Sequence, residues 1–98
     1  AFFPDERRPW SRARQAVIDA DPSLQERELL KLSSLAAAMT RALQRRGVDI
    51  TAAALTAETG VAVFRVAFGI WIAEGEERPL AELQRAVLAE LRSLLGTV

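Results

Sequence analysis

Few side chains in this chain could do chemistry. Ser33 and Ser34 are the kind of hydroxyls a base could activate, but the 98 residues contain no His. Cys is absent as well, which removes disulfides and thiolate nucleophiles and leaves a metal without its commonest ligands. Carboxylates pair only as runs such as Glu76-Glu77 beside Gly75, a turn pattern that gives weak support for general acid–base work. The five glycines are scattered, so no loop can cradle a phosphate. These residues lead us to expect no enzyme, no metal and no cofactor.

What remains is a set of arginines and a set of large apolar groups. Arg7, Arg8, Arg12 and Arg14 form a basic cluster, but Asp5, Glu6 and Asp19 lie among them and no base-reading aromatics accompany them. A solvated face or a contact with a neighbouring domain fits that mixture better than a nucleic-acid site. Arg65 stands inside the most apolar stretch of the chain. It has three outlets: pairing with Glu58, contact with the anionic part of a ligand, or a path to solvent. Met39, Phe64, Phe68 and Trp71 either fill a core or line an apolar pocket between helices. Trp71 also carries an indole N–H that needs an acceptor if it is buried.

Helices must position these groups, and the chain predicts about four. One runs from about Pro9 to Ala20, with Trp10, Ala13, Val17 and Ala20 on one face. Asp21-Pro22 stops it and starts the next, because a pre-proline residue avoids the α region while Asp caps and Pro suits a first turn. That second helix carries Leu29, Leu32, Leu35, Ala36, Met39 and Leu43 and ends at Gly47. The third begins after Asp49 or Thr51 and runs to about Ala73. Glu74-Gly75-Glu76-Glu77 is a turn, Pro79 opens the fourth helix, and Gly96 closes it. The expected fold is all-α, an antiparallel helical bundle forming one domain over residues 1–98.

Lys plus Arg equals Asp plus Glu at 13 each, so bulk charge does not call for nucleic acid. The third helix is apolar on more than one side, yet Glu58 and Arg65 interrupt it, so a packed soluble helix is expected and not a membrane span. The opening Ala1-Phe2-Phe3 shows no leader pattern, and a chain without Cys suits the cytoplasm. Helices three and four together carry more apolar surface than four short helices can cover. Either it all forms one core, or Val63, Val66, Ile70, Leu83, Val87, Leu91 and Leu94 form the seam of a homodimer. Close approach of helices would explain why the third helix tolerates Gly60 and Gly69.

Several of these segments resemble the C-terminal domains of TetR-family transcription regulators, especially the mycofactocin-system subgroup. The resemblance rests on Arg12-x-Arg14 before Val17-Ile18, Asp21-Pro22-Ser23-Leu24 with Arg27 after it, and Leu43-Gln44-Arg45-Arg46-Gly47. It also rests on the run Ala67-Phe68-Gly69-Ile70-Trp71 and the closing amphipathic helix. It covers about Pro9 to Leu95. It implies a domain that senses a small apolar effector and pairs through its last two helices. Operator DNA would be read only by an N-terminal helix-turn-helix domain that this chain does not contain. On that reading Met39, Phe64, Arg65, Phe68 and Trp71 are the effector-site candidates. The alternative is a helical protein–protein interaction module without a small-molecule ligand.

Overall fold

A computed structural model describes residues 4–96. Those residues form a short 3₁₀ turn, Asp5–Arg7, and four α-helices: α1 Arg8–Asp19, α2 Pro22–Arg45, α3 Ile50–Trp71 and α4 Leu80–Gly96. The fold is all-α, as expected. Phe2 and Phe3 lie outside the described residues.

The helix boundaries have local causes. Asp21 sits in the extended region at the N-cap of α2, and its carboxylate accepts the Ser23 N–H at 2.9 Å and the Ser23 hydroxyl at 2.8 Å. These bonds favour the charged form and lower the Asp21 pKa. At the other end Gly47 takes φ +96°, which a side chain would oppose. Its N–H donates to the Gln44 carbonyl and that of Val48 to the Leu43 carbonyl, closing the helix with a paired turn. Gly75 takes φ +85° in the α3–α4 connection.

The helices contribute to two compact units, each with its own core. One comprises the chain through Ala16 together with the chain from Val63 onward; the other is Val17–Ala62. In the first, Ala67, Trp71, Leu80 and Leu83 are buried, with Phe64, Phe68, Ile70, Ile72 and Val87 packed around them. In the second, Ile18, Ala36, Ala53, Ala57 and Val61 are buried. Small residues dominate that second core, so backbones rather than long side chains set its packing distances.

The inward faces differ from the sequence expectation in two places. On α1 the buried residues are Arg8, Ser11 and Ile18, while Trp10, Ala13 and Val17 are exposed. Trp10 is instead covered on one side by the Arg7 guanidinium, 4.7 Å from its ring centroid. On α2 Ala36 is buried and Leu32, Met39 and Leu43 are half-buried, whereas Leu29 and Leu35 face out beside Leu30. By length and composition α3 could cross a membrane, and only 22% of its 18-residue apolar window is buried within the chain. Its glycines are not crowded: a Cβ on Gly60 would meet Met39 Cε at an ordinary 3.5 Å, and one on Gly69 would meet nothing within 4 Å. Close approach within the chain therefore does not account for either glycine.

Candidate functional site

The first unit holds the most organised side-chain cluster. Phe64, Phe68 and Trp71 follow one another along α3, with ring centroids 5.7 Å apart at each step. Such tilted pairs add modestly to area burial. Phe64 and Phe68 are half-buried, while Trp71 is fully buried. The indole N–H of Trp71 does find an acceptor, Asp5 Oδ1 at 3.3 Å.

Arg8 covers the same ring from α1, its guanidinium carbon 5.2 Å from the centroid. A guanidinium is weakly hydrated and planar, which suits it to an aromatic face. Its Nη2 donates to Asp5 Oδ1 at 3.0 Å and to the Arg78 carbonyl at 2.6 Å, and its Nη1 donates to the Glu76 carbonyl. The Nε–H is buried and has no hydrogen-bond partner. One turn later, Arg12 Nε donates to the Ile72 carbonyl at 2.5 Å and Nη2 to the Ala73 carbonyl at 3.3 Å.

These two arginines do structural work that the sequence reading missed. Helix α3 has no basic residue in its last turn; the Ile72 and Ala73 N–H groups reach the Phe68 and Ile70 carbonyls, and the carbonyls of Ile72 and Ala73 themselves lie just past its end. Arg12 donates to those two from another helix, and Arg8 does the same for Glu76 and Arg78 in the turn that follows. The sequence signal was present in two parts. One was an i, i+4 arginine pair; the other was a helix end with neither a capping glycine at once after it nor a basic last turn. The expectation of a solvated basic face is therefore corrected for Arg8, which is buried.

The turn is also organised from within. Glu76 Oε2 accepts the Glu77 and Arg78 backbone N–H groups at 3.1 and 3.0 Å. Both of its carboxylate oxygens pair with the Arg78 guanidinium, at 3.0 and 2.9 Å. Held mainly by Arg78, the Glu76 carboxyl is lowered to about 2, and Arg78 is raised in return.

The other predicted residues are distributed differently. Arg65 is exposed, and no ion pair joins it to Glu58 among the described residues, so the path to solvent is the one taken. Met39 belongs to the second unit and lies half-buried near Gly60. Of the seam candidates, Val66 and Leu94 are 54% and 57% exposed. Val63, Ile70, Val87 and Leu91 are half-buried, and Leu83 is inside the core at 1%. Among the described residues no group of three or more potential metal ligands occurs.

Comparison with known protein families matches residues 1–96 to one family, described as the MftR C-terminal domain. No curated protein matches the chain.

Proposed function

The chain belongs to the family of MftR C-terminal domains of TetR-type transcription regulators, and from that membership we propose that it is an effector-sensing and homodimerisation domain. It works in the cytoplasm, it is not an enzyme, and it reaches operator DNA only through a separate N-terminal domain. The effector is small and mostly apolar. It sits against the half-buried Phe64 and Phe68, with Trp71 behind them.

The observation that carries the pairing is the uncovered apolar surface of α3 and α4. Val66, Leu94 and Leu95 are each more than half exposed, and α3 is mostly unburied along its apolar window. Exposed apolar patches of this kind mark interaction surfaces. On one helix Ala62, Val66 and Gly69 share an exposed face whose small residues let a second helix come near. In the proposed seam Val66, Leu94 and the half-buried Val63, Ile70, Val87 and Leu91 meet their copies across a two-fold axis. Leu83 supports them from the core. Effector binding then shifts the population between pair geometries, and only one geometry holds two DNA-reading heads at operator spacing.

Sedimentation velocity tests this with the wild-type chain and Val66→Glu. Val66 is exposed in the single chain, so the variant keeps its helices while a carboxylate in the seam lacks a partner. The wild type sediments as two chains and the variant as one. A wild-type monomer, or a variant that pairs as well as wild type, overturns the seam.

A further inference from the structure

The 3₁₀ turn Asp5–Arg7 buries none of its own residues. Three residues with two backbone bonds, Arg7 N–H to the Pro4 carbonyl at 2.9 Å and Arg8 N–H to the Asp5 carbonyl, are held only weakly by themselves. Beyond its continuity with α1, its side-chain anchor is Asp5. One carboxylate oxygen, Oδ1, takes both the Arg8 Nη2 donor at 3.0 Å and the Trp71 Nε1 donor at 3.3 Å. Arg8 in turn rests on the Trp71 ring and also donates from Nη1 to the Glu76 carbonyl and from Nη2 to the Arg78 carbonyl. Three side chains thus share their bonds at one point, and each supports the other two.

We propose that Asp5, Arg8 and Trp71 form a latch that couples the attachment of the N-terminal segment to the position of the Trp71 indole. The latch connects the leading end of the domain with the far end of the aromatic series Phe64, Phe68, Trp71. When the indole shifts, Asp5 loses one of its two donors and Arg8 loses the aromatic face beneath it. Arg8 keeps its bonds to Asp5 and to the Glu76 and Arg78 carbonyls, and what it loses is the ring beneath a guanidinium whose buried Nε–H has no acceptor. The coupling is reciprocal: displacing residues 4–7 frees the indole by the same free energy. Its use as a signal rests on the effector reading above, because a molecule wedged against Phe64 and Phe68 is what would move Trp71. The coupling itself requires no effector.

Amide hydrogen exchange in the whole chain, read at Arg7 and Arg8, tests the latch with Asp5→Ala, Trp71→Phe and the double variant. Asp5 is 57% exposed and its replacement removes no core volume, so that variant folds. Each single variant is expected to speed exchange at these amides by about threefold or more, the scale of a lost charge-assisted bond at a half-exposed site. In the double variant the two factors do not multiply, because both changes break the same node. Arg8→Lys keeps the charge but loses the planar stack, and it speeds exchange similarly. Unchanged exchange in Asp5→Ala, or single-variant factors that multiply fully, overturns the proposal. The readout needs neither ligand nor partner chain, so failure of the latch and failure of the sensing reading are told apart.

Discussion

Arg8 and Arg12 stand four residues apart, and the sequence gives no local reason for one to be buried and the other half-buried. The reason is a helix end elsewhere. The Ala73 carbonyl accepts one backbone N–H, from Glu76, and a guanidinium on α1 adds donors to it and to the Ile72 carbonyl. Arg12→Ala is expected to cost about 1–3 kcal/mol in a denaturant titration, since it strips donors from helix-end carbonyls. The α2 cap was legible: Asp21-Pro22-Ser23 names its own function. Asp21→Ala should lower stability by about 1 kcal/mol, read as a fall in urea midpoint without a change in slope. Glu76 sets an acid limit. Its folded pKa is about 2 against an ordinary 4.5, so its contribution is fully present above pH 4.5 and fades as pH falls towards 2. Thermal melts should show the wild type losing its advantage over Glu76→Gln across that window. A constant difference between the two at all pH values would contradict the Arg78 pairing.

At the scale of elements, the four helices were readable because each carries its own punctuation. Pro22 and Gly47 bracket α2, Asp49 precedes α3 and Pro79 precedes α4, and the observed ends fall within two residues of those signals. Which face of a helix turns inward was less readable. Apolar spacing pointed to Trp10, Ala13 and Val17 on α1, but the buried set is Arg8, Ser11 and Ile18. A buried arginine is tolerated where fixed carbonyls and a carboxylate satisfy it, and periodicity cannot see those partners. On α3 the aromatic series was legible as a stripe, and the Trp71 donor was expected to need an acceptor. Asp5, 66 residues away in sequence, supplies it, and no local pattern joins the two.

For the molecule as a whole, the proposed pairing starts from apolar surface on α3 and α4. Counting apolar positions on those two helices gives more than four short helices can cover; Val66, Leu94 and Leu95 are exposed there, as Leu29, Leu30 and Leu35 are on α2. Effector candidates were less legible at this scale. Phe64, Phe68 and Trp71 do adjoin, but Met39 belongs to the other unit and Arg65 faces solvent. Pairing through α3 and α4 is the central claim, and the absence of Cys from the sequence allows a direct test. Single cysteines at Ala62, Val66, Gly69 and Leu94, and a control at exposed Leu30 on α2, can be oxidised and read for covalent dimers. A disulfide requires the two Cα atoms to come within about 7 Å, so only positions near a two-fold axis can close one. The account predicts rapid, near-complete cross-linking for at least one of the α3 and α4 positions and none at Leu30. Cross-linking at Leu30 alone, or at no position on α3 and α4, would contradict it.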